Sequence, residues 1–138
     1  MDNLAPAIHP SRGLGDNKPS SQEVLDWVQE VARRTQPENI FWCDGSEEEN
    51  AYLLEQAGEQ GIVQKLAKLP GSYLHRSNQN DVARVEQFTL ICTPTKEEAG
   101  PTNHWADPAE TYAKLNELLQ GAMQGRTMFV IPYIMGPP

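Results

Sequence analysis

An arginine and a glutamate stand two positions apart in the stretch NDVARVEQFTLIC, residues 80–92, among small and apolar neighbours. If this segment is extended, Arg84 and Glu86 share one side of it. A guanidinium so placed can grip a carboxylate or phosphate through two parallel hydrogen bonds, which makes Arg84 a candidate anion clamp. The competing reading is an internal ion pair from Arg84 to Glu86 or to Asp81, which contributes little on a surface.

Other stretches invite chemistry and do not sustain it. In SEEEN, residues 46–50, three consecutive helical carboxylates point about 100° apart and cannot converge on one ion. They read as a solvated first turn favoured by the helix dipole. GAMQGRT, residues 121–127, faintly resembles a phosphate loop, but its glycines are too close, Arg126 replaces the required Lys, and the order is helix, loop, strand. It reads as a helix stop at Gly121 and a connection. His9, His75 and His104 are scattered without ligand spacing, so the expectation is that no metal is bound. No nucleophile and base set can be assembled from spacing, and no catalytic residue is assigned.

The elements that must position Arg84 can be read from periodicity and caps. Residues 1–19 carry Pro6, Pro10, Gly13, Gly15 and Pro19, and are expected to form a flexible or loosely docked arm. Ser20 and Glu23 stand in capping-box spacing before the stripe Val24, Leu25, Trp27, Val28, Val31, Ala32, which predicts a helix ending before Pro37. IFWC, residues 40–43, predicts a buried strand entering a turn at Asp44-Gly45. A second helix follows, with Ser46 as its cap and Glu49 three residues on. A short strand is expected within 62–66, a loop at 77–81 and a strand in FTLICT from Phe88. Asp107 caps a third helix with Pro108 at its first position, and Tyr112, Leu115, Leu118, Leu119 and Met123 are expected as its buried face. The apolar run from Met128 to Met135 reads as a terminal strand, of a composition usually found inside a covered sheet. Strands alternating with helices give an α/β fold with a mixed sheet flanked by helices.

Composition narrows the partners. With 11 Lys and Arg against 19 Asp and Glu, the formal net charge of -8 repels a phosphate backbone, so nucleic-acid binding is not expected. No stretch approaches the roughly 20 apolar residues of a membrane span, and the N-terminus lacks a signal-peptide pattern. Cys43 and Cys92, each in an apolar segment, read as reduced, buried thiols of a cytoplasmic protein.

Four blocks, CDGSEEE (43–49), DVARVE (81–86), AGPTNHW (99–105) and GRTMFVIPYIMGP (125–137), resemble in order and spacing the N-terminal region of GTP-dependent phosphoenolpyruvate carboxykinases. The likeness runs from about residue 20 to the last residue. His104 stands where these enzymes commonly have Asn, and Phe129 and Tyr133 exchange the usual Tyr and Phe.

The resemblance implies the interconversion of oxaloacetate and GTP with phosphoenolpyruvate, carbon dioxide and GDP, a step of gluconeogenesis. It implies a fold like the N-terminal lobe of these enzymes over residues 20–138, and a role for Arg84 in binding the substrate carboxylate. Glu86 would lie by the lid that closes over the site. The nucleotide loop and the Mn²⁺ or Mg²⁺ ligands of the family lie beyond the blocks matched here, so neither GTP nor metal is expected to bind this chain. Alone it is expected to be an inactive N-terminal part. A second reading stays open: a stand-alone, non-catalytic α/β module binding a small dicarboxylate through Arg84, or a protein through its exposed terminal strand.

Overall fold

The computed structural model describes residues 6–8, 13–78, 81, 85 and 88–136. They divide into two compact units, Met1–Arg76 with Gly121–Pro138, and Ser77–Gln120. The fold is α/β, with its strands in three two-stranded pairs among the described residues.

In the first unit, helix α1 spans Gln22–Thr35. Its cap is Ser21 rather than the expected Ser20: the backbone is extended at Ser21, and its hydroxyl accepts the N–H of Val24 at 3.5 Å. Glu23 thereby falls in the first turn, where the helix dipole favours it. The helix ends at Gln36, left-handed at φ 55°, whose N–H returns to the Ala32 carbonyl at 2.8 Å before Pro37.

Strand β1, Asn39–Trp42, pairs in parallel with the terminal strand, Thr127–Val130, across which Phe41 lies opposite Phe129. Pleating sends alternate residues to opposite faces. One face presents Ile40, Trp42, Met128 and Val130 to Leu25, Val28, Val31 and Ala32 of α1, with Val28, Trp42 and Met128 buried at the centre. The other presents Phe41, 1% exposed, which stacks on Tyr52 at 6.4 Å and meets Phe129 tilted at 5.5 Å.

Tyr52 belongs to helix α2, Glu47–Glu59, capped by Ser46 as its sequence predicts. A short antiparallel pair follows, β2 at Gln64–Lys65 and β3 at Tyr73–Leu74. Two pieces of the first nineteen residues also pack in this unit. Trp42 donates its N–H to the Gly15 carbonyl at 2.8 Å, and Ile8, buried, donates to the Thr127 hydroxyl at 2.9 Å.

The terminal strand is shorter than the apolar run suggested. It stops at Val130, two residues before Pro132, whose ring removes a ladder donor, and Ile131, Tyr133, Ile134 and Met135 are all exposed.

In the second unit, β4 at Leu90–Ile91 pairs in parallel with β5 at His104–Trp105, and a 3₁₀ turn at Lys96–Ala99 lies between them in sequence. The expected strand from Phe88 is thus reduced to two residues. Trp105 Nε1 donates to the Thr93 carbonyl at 2.9 Å, and Asn103 Nδ2 to that of Ala99 at 2.6 Å. Helix α3, Pro108–Leu119, starts as predicted, with Asp107 accepting the Glu110 N–H at 3.0 Å. Its expected buried face is corrected: Tyr112, Leu115, Leu118 and Leu119 are 42–66% exposed, because the described residues of this small unit lay no apolar layer over them. Met123 lies beyond the helix and joins the core of the first unit. The strand Thr127–Val130, sixth in chain order, is β6.

Candidate functional site

Arg84 and Glu86, the residues singled out for substrate binding and for the lid, lie outside the described residues, as does His9. What is described is the backbone on either side of them. Asp81 donates its N–H to the Asn78 carbonyl at 2.9 Å, closing one turn. The Val85 carbonyl accepts from the Phe88 N–H at 3.0 Å and from the Thr89 hydroxyl at 3.1 Å, closing a second.

The CDGSEEE block forms the end of β1 and the start of α2. Asp44 Oδ1 accepts the Ser46 N–H at 2.8 Å, and Ser46 Oγ accepts the Glu49 N–H at 3.1 Å. Glu49 is not the solvated carboxylate that its place in an acidic run suggests. It is 5% exposed and turns back so that its two oxygens accept the N–H groups of Asp44, at 2.7 Å, and Gly45, at 3.2 Å. Capping-box spacing marks Glu49 as an acceptor for this region. Its reach past Ser46 to Gly45, which stands at φ +74°, and to Asp44 is something no spacing rule reports.

These carboxylates set local ionisation. Hydrogen bonds from the Ser46 hydroxyl and N–H hold the Asp44 carboxyl below its ordinary value. Burial, then the charges of Glu49 and Asp44, push the Cys43 thiol upward. Both cysteines are free, and the expected burial of the two thiols is corrected: Cys43 is half-buried and Cys92 is exposed, because the short strand at Leu90–Ile91 ends before it.

The connection GAMQGRT has its backbone donors committed elsewhere. Gly121 and Met123 donate to the carbonyls of Arg34 and Thr35 at the end of α1, both at 2.9 Å, and Gln124 and Arg126 donate within the loop. These four committed donors cannot also cradle a phosphate. His75 Nδ1 donates to the Ile62 carbonyl at 2.6 Å, and His104 lies exposed on β5. Among the described residues no three His, Cys, Asp or Glu side chains gather as a metal site.

Beside β6 an open apolar groove of about 590 Å³ runs along α2, with Cys43 and Arg126 in its lining.

Residues 26–138 match the family described as the phosphoenolpyruvate carboxykinase N-terminal domain. The chain belongs to this family. It is 50% identical over 120 residues to a phosphoenolpyruvate carboxykinase [GTP] of Anaeromyxobacter sp. (strain K), covering 86% of this chain and 20% of that protein. The corresponding protein of Corynebacterium jeikeium is 48% identical over 129 residues, 91% of this chain and 21% of the relative. That of Neocallimastix frontalis is 50% identical over 119 residues, 85% of this chain and 20% of the relative. This carboxykinase N-terminal domain therefore spans about a fifth of the length of the relatives it matches.

In this domain the buried carboxylate among the described residues, Glu49, is already occupied by two backbone donors. No described helix is long and apolar enough to cross a membrane.

Proposed function

We propose that this chain supplies the N-terminal part of a cytoplasmic GTP-dependent phosphoenolpyruvate carboxykinase. The full-length enzyme converts oxaloacetate and GTP to phosphoenolpyruvate, GDP and carbon dioxide, as a carboxy-lyase of gluconeogenesis. The observation that carries this reading is the family match over residues 26–138, joined by relatives that bear this enzyme's name at about 50% identity.

In this reading Arg84 holds the substrate carboxylate. Decarboxylation leaves an enolate that must be kept in place until its oxygen takes the γ-phosphoryl group, and a fixed cation on the carboxylate provides that positioning. Glu86 helps hold the closed lid. GTP and a Mn²⁺ or Mg²⁺ ion bind the remainder of the full-length enzyme, and this chain alone is inactive. The net charge of -8 argues against a nucleic-acid partner.

A chimera tests the reading, with this chain replacing the matched N-terminal fifth of the Anaeromyxobacter protein. The expected result is GTP-dependent formation of phosphoenolpyruvate from oxaloacetate by the chimera, and none by residues 1–138 alone. A folded chimera without that activity, or activity of the chain by itself, overturns it.

A further inference from the structure

The groove beside β6 is bounded by Ile8, Leu53, Ala57, Phe129 and Ile131, and with about 590 Å³ of open space it is a large apolar concavity for one small unit. Phe129 is 46% and Ile131 66% exposed, so apolar surface continues from the groove along the strand. Contiguous exposed apolar surface of this kind marks a docking place.

Three observations define what would dock. The Cys43 N–H bonds to the Val130 carbonyl at 2.8 Å, so the even-numbered residues of β6 serve β1. The main-chain groups of Phe129 and Ile131 face the opposite edge, where no described residue bonds to them, and can accept another strand. Arg126 is the one charged side chain among the described residues lining the groove. Finally, the chain spans about a fifth of its relatives, so a carboxykinase polypeptide brings about four times as much chain again that must pack somewhere.

We propose that this groove is the seat of an extended, apolar segment carrying one carboxylate, supplied by the portion of the carboxykinase polypeptide outside residues 1–138. The segment pairs along Phe129 and Ile131 as a third strand, fills the space between α2 and β6, and places its carboxylate on Arg126. The proposal rests on the carboxykinase reading.

Cys43, within the groove, gives the measurement, and Cys92, exposed in the other unit, serves as reference. Maleimide labelling, mapped by peptide mass, is followed at both thiols in residues 1–138 and in the chimera. The proposal expects Cys43 to label about tenfold or more slowly in the chimera than in the chain alone. Ala57→Glu, which puts a charge into the groove, should lower the melting temperature of the chimera by about 2 °C or more and leave that of the chain within error. Arg126→Gln should act in the same direction, by less.

Cys43 labelling equally fast in both proteins, or Ala57→Glu affecting both alike, overturns the proposal. So does dimerisation of the chain alone that Ala57→Glu abolishes while the chimera is unaffected, which would make a second copy the occupant. If the chimera fails to fold, the chain and the remaining segment of the relative are co-expressed as two polypeptides. Co-purification lost on Ala57→Glu supports the proposal, and absence of co-purification overturns it. The labelling result is read without turnover, so a protected Cys43 in an inactive chimera separates failure of the enzymatic reading from failure of the docking one.

Discussion

The Glu49 carboxylate accepts the backbone N–H of Asp44 at 2.7 Å, so a side chain in the first turn of α2 holds the residue that leaves β1. With the second bond to Gly45, a buried charge is matched by two fixed donors, and the strand-to-helix turn is closed without metal or disulfide. Removing the acceptor strands both donors. Glu49→Ala is predicted to cost about 1.5–3 kcal/mol in urea denaturation, and Glu49→Gln, which keeps one acceptor oxygen, clearly less. A cost for the alanine variant below about 0.5 kcal/mol, the scale of an ordinary surface change, would refute the bracing role.

The same carboxylate bears on the thiol beside it. Burial first, and the charges of Glu49 and Asp44 second, raise the Cys43 ionisation. Its alkylation by iodoacetamide should therefore rise with pH later than that of an ordinary cysteine at about 8.5, and Glu49→Gln should shift the profile back down. The sign for stability follows from linkage. A group that gives up its proton less readily folded than unfolded favours the fold below the unfolded value, and loses that contribution as pH rises through the folded one. Stability should fall in that alkaline window, and Cys43→Ser should flatten the fall.

A second tight contact lies behind the sheet. A Cβ built on Gly15 meets Phe41 Cδ2 at 2.7 Å, and Gly15 stands at φ +78°, a conformation side chains resist. Phe41 is buried and held by Tyr52 and Phe129, so it has nowhere to retreat. Gly15→Ala is predicted to destabilise by about 2–4 kcal/mol. Thermal melts of this variant beside Gly13→Ala, whose Cβ would meet nothing within 4 Å despite a similarly positive φ, separate the clash from the backbone strain.

The apolar stripe of α3 gives the opposite expectation. Leu118 is 66% exposed, so Leu118→Glu should change the stability of the chain by less than about 0.5 kcal/mol. A loss of 2 kcal/mol or more in denaturant titration would show that the stripe is buried after all.

Local signals served the reading of this chain well and non-local ones poorly. Ser46 with Glu49, and Asp107 with Pro108, mark helix starts because caps are settled by neighbours within one turn. The cap falls at Ser21 and not at the expected Ser20 because either serine can cap, and only the backbone entering the helix distinguishes them. The two-residue strands at Tyr73–Leu74 and His104–Trp105 carry no period to detect. The parallel pairing of Asn39–Trp42 with Thr127–Val130 joins segments from opposite ends of the chain, which periodicity cannot match to each other. For α3, amphipathic spacing identified the helix and misjudged its burial, since spacing shows which side is apolar and not whether anything covers it. The family blocks pointed to the carboxykinases, which the match over residues 26–138 shows, whereas Arg84 and Glu86 fall outside the described residues and their roles remain the proposal made above.

The proposed function turns on Arg84 positioning the substrate carboxylate in a carboxykinase built from this domain. The most direct measurement is kcat/KM for oxaloacetate in the chimera with and without Arg84→Ala, taken together with the melting temperature of each. Loss of one such contact, about 2–4 kcal/mol in transition-state stabilisation, lowers kcat/KM roughly 30- to 900-fold with the melting temperature unchanged. Retained activity with a lowered melting temperature would contradict the account and make Arg84 a partner in an internal ion pair.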